Sequence, residues 1–431
     1  MLSKIGLYKI LLTLIFLATF STTLMAQDYN KWFTENVMRI DLTHAGDAKT
    51  EYYFTEQFYK EEVWAGSKTK LIDKLSYGDN FFEVYDSTSQ TLIYSRGYNN
   101  LFYEWQAEPE AKHNNRSFEE VIRFPFPLET VQIKIYRRLL TGELEPLHQF
   151  YLNPKSYRVI KGTKYNFETE RLFGELPVNK AVDIVIMADG YTKEELSVFK
   201  SDATKLSEFL LNTEPFSQLK ERFNIWLIMS DSKESGTDIP RQDIWKNTVF
   251  DSHFNTFNSE RYLTSQSIKK IHDVAALVPY DQVYVLVNTD KYGGGGIFNY
   301  YNLTSAHHAL SPWVFIHEFG HGFAGLADEY PYGAINFEDV YSSKSEPWNP
   351  NISTLAKPDK KWKNMMDKDT PIPTPVTEEY KNKVGFYEGG GYLKKGIYRP
   401  YQECEMRTLK SGFCPVCQDA IIKMIKFNID Q

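Results

Sequence analysis

The sequence predicts an α+β chain of two units, an antiparallel β-sandwich followed by an α/β layer. Three observations predict it. Short period-two alternations broken by turn residues fill the first part, as in KTEYYFTEQF, NFFEVYDS and ETVQIKIYRRL, the pattern of half-buried antiparallel strands. After about residue 175 the pattern changes to continuous apolar runs alternating with amphipathic stretches, which reads as buried strands covered by helices. A chain of 431 residues also exceeds the usual size of one domain.

Taken in order, residues 1–26 read as a signal peptide. Lys4 and Lys9 precede the apolar run ILLTLIFLATF, and Ala26 stands at the break before QDYN. The run falls short of the roughly 20 apolar residues that span a bilayer, so the mature chain is expected to be exported, secreted or periplasmic, with no membrane span. Residues 27–170 form the expected β-sandwich, an accessory domain. From residue 171 onward, AVDIVIMADGYTKEELSVFKSDATKLSEFLLN reads as a buried strand, a tight Asp-Gly turn and a long helix, with Thr192 and Glu195 as a capping box. Two further buried strands are expected at 223–230 (FNIWLIMS) and 281–290 (DQVYVLVNTD). Residues 331–403 are rich in Pro, Gly, Lys and aromatics and predict an ordered, loop-rich stretch, and CQDAIIKMIKFNI closes the chain as a helix. The net charge of −7 and the lack of a basic block exclude the electrostatic footprint of a nucleic-acid binder.

The chemistry concentrates in SPWVFIHEFGHGFAGLADEY, residues 311–330. Ser311 is the expected N-cap and Pro312 the first helical residue. Residues four apart lie one above the other on a helix, so His317 and His321 of the HExxH can present their imidazoles to one ion. Glu318 then stands on the adjacent side as a general base, the arrangement of a zinc hydrolase. A catalytic zinc has three protein ligands and an open position. Gly325 is expected to end the helix in a left-handed conformation, and no histidine occurs after His321. Asp328 is the first choice of third ligand, one position later than in H-E-x-x-H-x-x-G-x-x-H, and Glu329 is the second. Glu338 is the nearby candidate for a glutamate supplied by a later segment. His307 and His308 stay unassigned. Tyr330 is an oxyanion-stabilising candidate by position.

KYGGGGIFNYY (291–301), one short segment upstream of the helix, is expected either as an edge strand whose glycines allow close approach of another backbone or as a flexible turn. The three cysteines, Cys404, Cys414 and Cys417, predict one disulfide and a free thiol in an exported protein. A structural zinc site of these three would need a fourth ligand, and the nearest histidine, His321, is far off in sequence.

HEFGHGFAGLADEY, the VIMADGYT turn, YRPYQECEMR and FCPVC together resemble the IgA-peptidase family of bacterial secreted zinc metallopeptidases. The resemblance runs from about residue 180 to the C-terminus and extends to a β-rich N-terminal domain. It implies a metzincin-like catalytic domain over 171–431, Met406 in a Met-turn, and one Zn2+ held by His317, His321 and a following acidic residue. The reading is an exported zinc endopeptidase acting on a protein or glycoprotein, with immunoglobulin A as the substrate the family name suggests. The competing class is an exported glycan- or immunoglobulin-binding protein whose HExxH is inactive.

Overall fold

Alternation along NFFEVYD and LIYSRGY puts every second side chain on one face, and that face closes a core. In the computed structural model, which describes residues 28–333 and 337–430, eight strands build the first unit. They are β1 (Phe33–Gly46), β2 (Glu51–Glu61), β3 (Asn80–Asp86), β4 (Leu92–Tyr98), β5 (Arg116–Pro127), β6 (Val131–Arg138), β7 (Leu144–Leu152) and β8 (Val159–Lys161). The sheets run β5-β1-β2-β8 and β4-β3-β6-β7. All pairs are antiparallel except the short β2–β8 pair. Val37, Ile40, Phe82, Val84, Phe124, Ile133 and Ile135 fill the space between the sheets. The predicted signal peptide lies outside the described residues.

β1 departs from simple alternation, because Val37 to Leu42 are all buried. Its outer face is covered by the second unit. Arg39 donates to both Asp41 oxygens at 2.7 and 2.8 Å and to Asp273 at 2.8 Å across the junction. A buried guanidinium is tolerated there because its donors are matched by carboxylates.

The second unit is a six-stranded sheet in the order β13-β14-β12-β10-β11-β9. Its strands are β9 (Thr169–Phe173), β10 (Val182–Asp189), β11 (Phe223–Ile228), β12 (Gln282–Val287), β13 (Gly294–Ile297) and β14 (Tyr301–Ser305). β14, β12, β10 and β11 are parallel, and the edge strands β9 and β13 are antiparallel to their neighbours. The central strands are buried along almost their whole length, and β10, β11 and β12 carry unbroken apolar runs, because both faces are covered. Ile184, Ile186, Tyr284 and Leu286 face one core, and Val185, Met187, Val283 and Val285 face the other.

The first core is closed by helices packed on that face. α2 (Leu196–Leu211) begins after the Thr192–Glu195 capping box. With it lie α4 (Ser311–Ala324) and α5 (Pro415–Asn428). The second core is shared across the junction. α3 (Ile268–Ala275) contributes Ile271 and Val274, while α1 (Leu101–Gln106) and β5 contribute Leu101, Phe102, Trp105 and Phe118. Between α4 and α5 the chain forms short 3₁₀ turns, a one-turn helix (Phe337–Val340) and the hairpin β15 (Tyr387–Gly390) and β16 (Leu393–Arg399). No helix among the described residues is long and apolar enough to cross a membrane.

Candidate functional site

α4 starts one residue earlier than its sequence suggests. Ser311 is the first helical residue rather than the N-cap, which is Leu310, and the Ser311 hydroxyl donates instead to the Ser305 carbonyl. That bond ties the helix start to the end of β14, and Pro312 follows in the first turn. At the other end Gly325 adopts φ +64, and its N–H bonds to the His321 carbonyl at 3.0 Å. A side chain is strained in that left-handed region, so glycine suits the turn that sends the chain back under the helix.

The reversal brings Asp328 to the histidine pair. His317 and His321 each hydrogen-bond through Nδ1 to a backbone carbonyl, Glu405 at 3.0 Å and Leu326 at 2.6 Å. A carbonyl only accepts, so each ring carries its proton on Nδ1 and turns the Nε2 lone pair inward. The two Nε2 atoms face one another at 3.1 Å, and Asp328 Oδ1 lies 3.2 and 3.4 Å from them. Asp328 Oδ1 has no hydrogen-bond donor, whereas Oδ2 accepts from Tyr330 at 2.8 Å and Tyr392 at 2.5 Å. Three lone-pair atoms converging this closely repel unless a cation sits among them, and the set is one that can hold a metal ion.

The same closeness couples the charges of the three groups. Burial pushes the Asp328 carboxyl up, but the two imidazoles outweigh it and hold it well below the usual carboxylate range. Burial opposes charge on His321, yet the Asp328 carboxylate raises it to about 9, and His317 is raised for the same reasons. Burial raises Glu318, and the imidazoles oppose that rise only in part.

Glu318 lies against β13. A Cβ on Gly294 would stand 2.7 Å from Glu318 Oε1, and one on Gly296 would stand 2.2 Å from the Glu318 carbonyl oxygen. The backbone that the glycines admit is therefore that of the HExxH helix itself. β13 is an edge strand, as expected, but its free edge is partly capped. Gly294 O accepts from Leu263 N at 3.1 Å, and Gly294 N donates to Arg261 O at 3.3 Å.

The histidines, Glu318 and Asp328 line a cleft of about 670 Å³. β13 forms one wall, and Asp79, Asn99, Tyr103 and Glu104 of the N-terminal unit form another. Arg261 reaches in and donates to the Tyr330 hydroxyl at 3.0 Å. Met406 is fully buried beneath α4, with Sδ 2.9 Å from the position of a Cβ on Gly320.

Other residues singled out in the sequence lie elsewhere. Glu329 points away from the histidines and contacts Asn351 and Cys417. His307 pairs with Asp202 at 2.7 Å, and His308 accepts from Leu310 N. The side chain of Glu338 lies outside the described residues. Sequence reasoning missed Tyr392 and Arg261, which reach the site from a hairpin tip and a loop and carry no motif.

The family model described as IgA Peptidase M64 matches residues 172–383 and 376–425, and that of the Peptidase M64 N-terminus matches residues 28–148. No curated protein matches the chain. With more than half of its length matched by the peptidase model, the chain belongs to the IgA Peptidase M64 family and, on that membership, is a peptidase.

Proposed function

We propose that the protein is an exported, zinc-dependent endopeptidase of metzincin-like design that cleaves protein or glycoprotein chains. The observation that carries this reading is the convergence of His317 Nε2, His321 Nε2 and the undonated Asp328 Oδ1 on one point at the floor of the cleft. A zinc ion there would polarise a scissile carbonyl and make a water acidic enough to ionise near neutral pH.

His317 and His321 present their Nε2 lone pairs, held in that tautomer by the Glu405 and Leu326 carbonyls. Tyr330 and Tyr392 fix the far oxygen of Asp328, so the near one stays available. Glu318 takes the proton of the attacking water on its carboxylate and returns it to the leaving amine. Its raised proton affinity suits that exchange. Arg261 brings a fixed positive charge to the cleft beside the Tyr330 hydroxyl. The remaining Arg261 N–H groups suit a developing oxyanion, whereas the Tyr330 hydroxyl gives its one proton to Asp328. Met406 supports α4 from below, in keeping with a Met-turn. The lysine-flanked apolar N-terminus supports export, and immunoglobulin A is the first substrate to try because the family description names it.

The test is Glu318→Ala. The variant should keep its zinc and lose at least about two orders of magnitude in turnover of a mixed protein substrate. Undiminished turnover by the variant rejects the mechanism.

A further inference from the structure

The three cysteines meet a fourth group that their sequence positions hide. Cys404 follows β16, and Cys414 and Cys417 bracket the start of α5. All are free thiols and all are buried. Glu329, fully buried, joins them from the segment that carries Asp328, and one ligand atom from each of the four lies within 4.8 Å of the others. We propose that Cys404, Cys414, Cys417 and Glu329 form a second, structural metal site for a thiophilic divalent cation, zinc by preference.

The expected disulfide is not formed. Cys404 Sγ and Cys417 Sγ are 3.7 Å apart, far beyond a sulfur–sulfur bond of about 2.05 Å. The separation matches another geometry. Two thiolates at about 2.3 Å from a tetrahedral zinc stand about 3.8 Å apart. Glu329 Oε1 lies 3.2 Å from Cys417 Sγ and accepts from Asn351 Nδ2 at 2.9 Å. Its Oε2 has no donor at all. A buried carboxylate oxygen left bare is costly unless a cation meets it. Soft thiolates with one carboxylate select zinc over calcium or magnesium, and the ring is closed, with no open position in a cleft. Asn351 serves as the outer hydrogen bond that orients a ligating carboxylate.

The site would stitch two segments that shape the cleft. Glu329 N donates to the Met406 carbonyl at 2.7 Å, and the neighbouring Glu405 carbonyl holds His317 Nδ1. Glu329 and the cysteines are positioning residues, since they touch neither the cleft nor its reacting groups.

The experiment uses the full chain carrying His321→Ala, which disables the first cluster and leaves the cysteines intact. Loaded with zinc chloride and dialysed, it should retain one zinc per chain. X-ray absorption should show sulfur ligands at about 2.3 Å, and cobalt(II) in place of zinc should give a thiolate charge-transfer band. Adding Cys417→Ser should abolish retention. Only trace zinc in the His321→Ala chain, or a disulfide found by alkylation of the freshly denatured unsubstituted chain, overturns the proposal. The unsubstituted chain separates this idea from the catalytic one. One zinc with sulfur ligands supports the cysteine site and removes the catalytic reading. One zinc with nitrogen and oxygen ligands alone does the reverse.

Discussion

At the residue scale, the choice between two adjacent acids decides the site. HExxH and Gly325 could be read from spacing alone, but spacing left Asp328 and Glu329 open. Successive residues in extended chain point to opposite sides, and the structure sends Asp328 to the histidines and Glu329 to the thiols. Asp328→Ala should therefore cost the zinc proposed for the histidine pair, and zinc analysis after dialysis checks it. Undiminished retention at the histidine pair would move the role to another acid. Tyr392 was illegible because nothing in the sequence links a hairpin tip to a helix so far upstream. A second residue-scale prediction concerns Asp183 and Asp281, which face each other within the sheet. Burial raises both carboxyls, to about 8 and about 7, and the Asp281 charge adds to the rise at Asp183. The fold thus holds protons that the unfolded chain has released, so this pair's contribution to stability falls as pH rises from about 4 to 8. Asp183→Asn should flatten that fall and raise stability at pH 8 by on the order of 2 kcal/mol, read from denaturant melts across that range.

At the scale of elements, β13 and α4 act as one unit. The run of glycines was legible as a place of close approach, but the partner was not, because sequence does not say which backbone comes near. Gly296→Ala would drive a methyl into the Glu318 carbonyl. The expected cost is about 1–3 kcal/mol from overpacking, with a drop in kcat as Glu318 moves; unaltered melting and turnover would contradict that packing. The strands of the parallel sheet were easy to place, since β10, β11 and β12 each carry an unbroken apolar run (Ile184–Ala188, Ile225–Ile228 and Val283–Val287). The start of α4 was misjudged because a serine before proline resembles a cap, whereas the Ser311 hydroxyl serves the strand behind it.

For the whole molecule, the two units were legible but their union was not. Alternation reports that one face of a strand is buried, and says nothing of what later covers the other. Leu101, Phe102, Trp105 and Phe118 share a core with Ile271, Val274 and Val285. Asp430 near the C-terminus accepts from Ser67 at 2.6 Å and Asn179 at 2.9 Å. A fragment of residues 171–431 should accordingly expose apolar surface and aggregate, while the chain from residue 27 onward unfolds in one transition. Dye binding and calorimetry check both outcomes, and a soluble, active fragment would refute them. The shared core also has a consequence in time. The apolar face on α1 and β5 is synthesised early, and its set of partners is complete only once the chain has grown past residue 303. Until then the first unit waits half-finished, and it is this stretch that a holding chaperone would have to shield.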